Sequence, residues 1–275
     1  MMMPQANPKR LLLPVLTLMA VINALLPAIM QSLNEPLLVA ASSGFGQSYV
    51  LWFSLFLSAF LLSNTQIKYR AQPRGFLLYA TLISTLMVLP NATLSWVLCS
   101  LCCGIWLKQI CGQDGKHTIL ERSAVLILFA ISIRSPVCQL LLSLFSNEIL
   151  NFDAWFSGIF LQILTPDAIV ENNLITQESG HSLLILTGCS ALGNLSWAML
   201  LWFSLTTYLH HTITTRAYLR IVCVVVLILS INSIRLSLMA LDEQWYLQLH
   251  EGDGADFIEA ITLLLTLTCV KWKKS

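Results

Sequence analysis

Apolar residues in this chain come in runs of about 20, the length a helix needs to cross a bilayer. The runs cover residues 11–30, 47–64, 76–89, 93–109, 123–145, 189–209, 219–241 and 257–271. Each reads as a spanning helix, because in lipid every backbone N–H must be satisfied within its own segment. The third and fourth are short and meet at Pro90-Asn91, so they read as a helical hairpin. Two stretches break the pattern. Residues 153–165 carry Trp155, Phe156, Ile159, Phe160 and Ile163 at mixed spacing, which predicts a helix lying along the membrane surface. In residues 168–187 two apolar stretches flank Gln177-Glu178-Ser179-Gly180, which predicts a β-hairpin leading directly to Gly188-Cys189. The expected fold class is an all-α polytopic membrane protein of about eight helices with a short outer hairpin, built as one membrane domain.

Composition agrees: 56% of residues are hydrophobic and 11% charged, against about 25% charged in a soluble domain. The near-zero net charge decides nothing, whereas the placement of the charges does. If the runs alternate across the membrane, Lys9, Arg10, Lys68, Arg70, Arg74, Lys108, Lys116, Arg122, Arg216, Arg220, Lys271, Lys273 and Lys274 fall on one side. The opposite loops, 31–46, 90–92, 146–188 and 242–256, contain no Lys or Arg. The basic side is therefore expected to be cytoplasmic, with both termini on it. A cleaved secretory signal is the competing reading of residues 1–30, but the apolar run is long and lacks a clear small-x-small cleavage site. Acidic residues mostly lie in the outer loops or at their edges, which simple segregation accounts for.

Two arginines occupy spans, where a charge costs about 2.5–3.5 kcal/mol by insertion scales. Arg235 sits roughly 9 Å below the outer end of its helix. It could snorkel outward, but Asn232 one turn earlier makes a polar face and favours a pocket. Arg134 lies deeper and is followed by Ser135-Pro136, which should kink the helix. A pocket role for Arg134 and a structural ion pair, for example with Glu259, weigh equally.

The eight cysteines sit mostly inside apolar runs, where a thiol behaves as a small hydrophobe. Cys99 and Cys102 have metal-like spacing, yet no second pair or nearby His completes four ligands, so no metal and no cofactor are expected. No phosphate-binding or dinucleotide motif occurs. Cys189 is the exception among the cysteines: it is placed at an outer edge where a helix begins, and a helix start favours a thiolate. His181 and His250 fall on the same outer face, whereas His117, His210 and His211 fall on the other. A thiol, an imidazole and a guanidinium on one face could perform acyl transfer. The thiolate attacks a carbonyl, His250 protonates the leaving amine and then activates the acceptor, and Arg235 stabilises the oxyanion.

Gly188-Cys189-Ser190-Ala191, then Asn232-x-x-Arg235, then His250-Glu251 before a last apolar helix resemble the signature of the exosortase/archaeosortase family. The resemblance covers residues 120–271 well and residues 1–120 only as generic spans. It implies a prokaryotic membrane cysteine protease or transpeptidase working on the outer face of the cytoplasmic membrane. Its partners would be exported proteins whose C-terminal tail joins a short motif, a hydrophobic helix and a basic cluster. The acyl acceptor would be water, or an amine on lipid or glycan, and nucleic acid has no part. It implies Cys189 as nucleophile, Arg235 as transition-state stabiliser and His250 as acid and base. Asn232, Ser190, Glu251 and Arg134 are the candidate supporting residues. Two departures bear on the subfamily and its motif: Ala191 stands where the family commonly has Gly, and Glu251 where it often has Asp. The competing function classes are a small transporter, in which Arg134, Asn232 and Arg235 line a polar path and Cys189 is incidental, and a non-catalytic assembly protein for envelope glycans.

Overall fold

The computed structural model describes residues 12–65, 81, 91–111, 115–177, 180–210, 215–250 and 253–271. In chain order the helices are α1 (Leu12–Ser32), α2 (Leu37–Ser42), α3 (Tyr49–Ser63), α4 (Ala92–Ile110), α5 (Lys116–Leu144) and α6 (Ser146–Leu164). Three short strands follow, β1 (Ile169–Glu171), β2 (Leu174–Thr176) and β3 (Ser182–Leu184). The chain then continues as α7 (Ala191–His210), α8 (Thr215–Leu241), α9 (Glu243–His250) and α10 (Asp253–Lys271). The expected span 76–89 lies outside the described residues, apart from Thr81.

The protein is a mostly helical membrane protein with one small sheet. Four described helices are long and apolar enough to cross a membrane: Leu13–Ser32, Ala92–Ile110, His117–Leu144 and Tyr218–Leu241. The apolar helical stretches Tyr49–Ser63 and Ala260–Cys269 are shorter than a full crossing requires. By length and apolarity, then, the described helices account for four crossings and not for the expected eight.

The chain divides into two compact units, residues 1–136 with 203–212, and residues 137–202 with 213–275. In the first unit α1 and α4 pack along their small residues, with Ala20, Ala24, Cys99, Cys102 and Cys103 all buried. Lipid tails give apolar helices no hydrophobic reason to associate, so close approach and interhelical hydrogen bonds must hold them together. Those bonds are present. Asn23 Nδ2 donates to Ser95 Oγ at 2.8 Å, Ser58 Oγ to the Ala124 carbonyl at 3.0 Å, and Trp106 Nε1 to Glu121 Oε1 at 2.8 Å. Asn91 caps α4 by accepting from the Leu94 N–H at 3.0 Å, the helix start that Pro90-Asn91 predicts.

The second unit holds the sheet. Its order is β1-β2-β3, antiparallel throughout. The hairpin expected from the sequence is β2–β3, with Thr176 opposite Ser182. β1 adds a third strand through a two-residue turn at Asn172-Asn173, where Asn172 has φ 53. One face of the sheet, through Ile175 and Leu183, joins a buried cluster with Leu150, Ala154 and Leu161 of α6, Leu236 and Met239 of α8, and Leu249 of α9.

The helix expected over 153–165 is α6, which starts earlier, and its buried face was not foreseen. Leu150, Asp153, Ala154, Ser157, Gly158 and Leu161 are buried, while Phe152, Trp155, Ile159 and Ile163 are exposed. The aromatic and isoleucine side chains point away from the unit, while Ala154, Ser157 and Gly158 pack inward beside Leu150 and Leu161. A Cβ on Gly158 would come within 2.5 Å of Val170 Cγ2, so this glycine lets β1 sit directly on the helix.

Candidate active site

Cys189 closes a single 3₁₀ turn, Thr187–Cys189, in which its N–H donates to the Leu186 carbonyl at 2.9 Å. Ser190 is extended, and α7 begins at Ala191. The expectation that Cys189 itself starts the helix, with the helix amides free to hold a thiolate, is corrected here. The Ala191 N–H donates to Asp153 Oδ2 at 3.0 Å, and the Leu192 N–H to Ser190 Oγ at 3.2 Å. The first amides of α7 already have acceptors. The Cys189 residue is buried at 8% exposure and belongs to the apolar cluster of this unit.

α8 brings the next group. Asn232, 2% exposed, donates from Nδ2 to the Cys189 carbonyl at 3.2 Å, and its Oδ1 accepts from Asn194 Nδ2 at 3.2 Å. A buried amide must use both ends, and here it ties α7 and the Cys189 turn to α8. One helical turn along, Arg235 lies within electrostatic reach of Cys189. Its Nε and Nη2 both donate to the Leu249 carbonyl, at 3.0 and 2.7 Å. Leu249 immediately precedes His250, whose ring stacks on Tyr246 with centroids 5.0 Å apart. Cys189, Ser190, Asn232, Arg235 and the backbone leading into His250 therefore meet in one unit, although the sequence separates them widely.

Other expected residues fall elsewhere. Arg134 is half-buried in α5, in the first unit. Glu251 lies outside the described residues, as does the side chain of Glu259. His181, a further outer-face candidate, approaches the Met239 carbonyl at 3.2 Å, and Gln177 Nε2 donates to the Ala240 carbonyl at 2.6 Å. Both side chains thus serve the last carbonyls of α8, groups that a helix end leaves without intrahelical partners.

Sequence reasoning missed Asp153. It is 2% exposed, and it accepts from the Ser190 hydroxyl as well as from the Ala191 N–H. Burial pushes its carboxyl above the ordinary carboxylate value, and these two bonds pull it back. The available signal was an acid set among the apolar residues in the middle of α6.

A family model described as transmembrane exosortase matches residues 39–270. No curated protein and no solved structure matches the chain.

Proposed function

The chain belongs to the transmembrane exosortase family, and from that premise we propose that it is a membrane cysteine peptidase or transpeptidase with Cys189 as nucleophile. The observation that carries the reading is the convergence on Cys189 of Asn232 at its carbonyl, Arg235 within electrostatic reach, and the Leu249 carbonyl, next to His250, gripped by that same arginine. A transporter would need no nucleophile at such a junction.

In the proposed reaction the Cys189 thiolate attacks the scissile carbonyl of the substrate. The oxyanion that forms is stabilised by Arg235, of whose five N–H groups two are engaged with Leu249. The tetrahedral intermediate collapses to a thioester as the amine leaves with a proton from His250. His250 then removes a proton from the acceptor, water or an amine on lipid or glycan, as the acceptor attacks the thioester carbonyl, and the second tetrahedral intermediate collapses to the new acyl product and the free Cys189 thiolate. Asn232 holds the nucleophile's backbone at the Cys189 carbonyl, and Ser190 caps the helix that follows. The substrates are exported proteins with a C-terminal motif, a hydrophobic helix and a basic tail. The enzyme would cross the prokaryotic cytoplasmic membrane about eight times with both termini inside and the site outside, as the one-sided Lys and Arg distribution supports.

The test is acid-quenched mass spectrometry of wild type, Cys189→Ala and His250→Ala, each co-expressed with a tailed substrate. Cys189→Ala should leave intact substrate and no adduct. His250→Ala should be slow at both steps. Unimpaired cleavage by Cys189→Ala ends the cysteine mechanism.

A further inference from the structure

The buried carboxylate of Asp153 lies outside the proposed chemistry, yet it touches the two residues that follow the nucleophile. Its Oδ2 accepts from the Ala191 N–H at 3.0 Å, and it also accepts from the Ser190 hydroxyl. Ser190 Oγ in turn accepts from the Leu192 N–H at 3.2 Å. A neutral serine cap alone would satisfy one amide. The added carboxylate satisfies a second, and an ionised acceptor makes each bond roughly twice as strong as a neutral one. It also places an anion against the positive end of α7.

Asp153 is itself firmly placed. Four residues on, the Ser157 carbonyl accepts from Ser237 Oγ of α8 at 2.7 Å, and Gly158 rests against Val170 of β1. The same α8 carries Asn232, which holds the Cys189 carbonyl at 3.2 Å. The Cys189 turn is thus fixed from both flanks, by Asn232 at its own carbonyl and by Asp153 at the next amide and hydroxyl. Both holders are referenced to one helix.

We infer that Asp153 is a positioning residue for Cys189: by hydrogen-bonding the Ala191 amide and the Ser190 hydroxyl it locks the turn that presents the thiol. With the helix end occupied by this carboxylate, Arg235 is a cation that faces negative charge at Cys189. The inference deepens the cysteine-peptidase reading and rests on it.

The test needs no substrate. Full-length protein in isolated membranes is treated with iodoacetamide, alkylation of the Cys189 peptide is followed by mass spectrometry, and thermal unfolding is recorded in parallel. Asp153→Ala frees the turn, so a thiol that is 8% exposed in the wild type becomes reachable. Its alkylation should quicken at least about fivefold, the scale of a lost helix cap. Asp153→Asn keeps an acceptor for the Ala191 amide and should stay within about twofold of wild type, the rescue a locking role requires. Ser190→Ala, which removes one of the two bonds, serves where Asp153→Ala does not accumulate, and should quicken alkylation about twofold. Unchanged alkylation in both Asp153→Ala and Ser190→Ala overturns the inference, and so does an Asp153→Asn that reacts as fast as Asp153→Ala. Neither result touches the peptidase reading. Conversely, full processing by Cys189→Ala removes that reading and leaves the alkylation pattern standing.

Discussion

Replacing Arg235 by lysine keeps a cation in α8 and removes the fork. In the wild type Nε and Nη2 grip the Leu249 carbonyl at 3.0 and 2.7 Å. A lysine has a single nitrogen on a flexible stem and can supply at most one of these bonds while also facing an oxyanion. A hydrogen bond from a charged donor is worth roughly 1.5–3 kcal/mol, so losing one corresponds to roughly 10- to 150-fold. Any loss at the oxyanion comes on top, and removing one such donor costs about 100-fold or more. Processing of a tailed substrate by Arg235→Lys should therefore fall by at least about 100-fold. Because Leu249 adjoins His250, the loss should fall on acylation and deacylation alike, so no acyl-enzyme should build up. The assay is the ratio of cleaved to intact substrate in membranes with matched enzyme expression, with acid-quenched mass spectrometry for the thioester. Near-normal processing would refute the reasoning and reduce Arg235 to an electrostatic anchor.

Three further outcomes are expected. In sealed spheroplasts a small membrane-impermeant thiol reagent should label Cys189 slowly, because that residue is buried, while the exposed Cys111 should label only after permeabilisation; equal labelling of Cys111 in sealed cells sinks the topology. Gly158→Ala should destabilise the second unit by roughly 1–3 kcal/mol through overpacking against Val170, and Val170→Ala in the same chain should recover most of that loss in a thermal melt; additive losses would reject the contact. Burial raises the folded-state carboxyl of Asp153 above its unfolded value, so at a pH between the two the folded chain holds a proton that the unfolded chain has lost, while above both the group is a carboxylate in either state. That contribution to stability is full below the ordinary carboxylate value and is lost as pH rises through the raised folded value. The melting temperature of Asp153→Asn relative to wild type should therefore rise between about pH 3 and pH 7, and a constant difference over that range contradicts the burial argument.

The sequence made four of the expected spans legible, Leu13–Ser32, Ala92–Ile110, His117–Leu144 and Tyr218–Leu241, because an uninterrupted apolar run is a local property. It also made Cys189, Asn232 and Arg235 legible, since a thiol at a predicted membrane edge and polar groups inside a span each need a reason where they stand. Asp153 was illegible because its partners, the Ser190 hydroxyl and the Ala191 amide, lie 37 and 38 residues along the chain, and a backbone amide leaves no mark in a sequence. The inward face of α6 was not read from the sequence, for a related reason. Trp155, Phe156 and Ile163 dominate any reading of that helix by apolar residues, yet in a bilayer bulk no longer signals the core, and the smaller Ala154, Ser157 and Gly158 do the packing. β1 was missed because three residues are too few to show alternation, and its turn was signalled only by Asn172-Asn173.

The last stretch of α8 acts as a phase standard. Asn232 and Arg235 point to the Cys189 turn and the Leu249 carbonyl, while the carbonyls of Met239 and Ala240 receive the sheet through His181 and Gln177. Each residue inserted into an α-helix rotates everything beyond it by roughly 100° and advances it about 1.5 Å. One residue added or removed between Arg235 and Met239 would thus swing the sheet's anchorage, and with it the Leu249 carbonyl that follows in the chain, to another side relative to Asn232 and Arg235. The segment is intolerant of any change in length, even one built from residues as hydrophobic as those it already has.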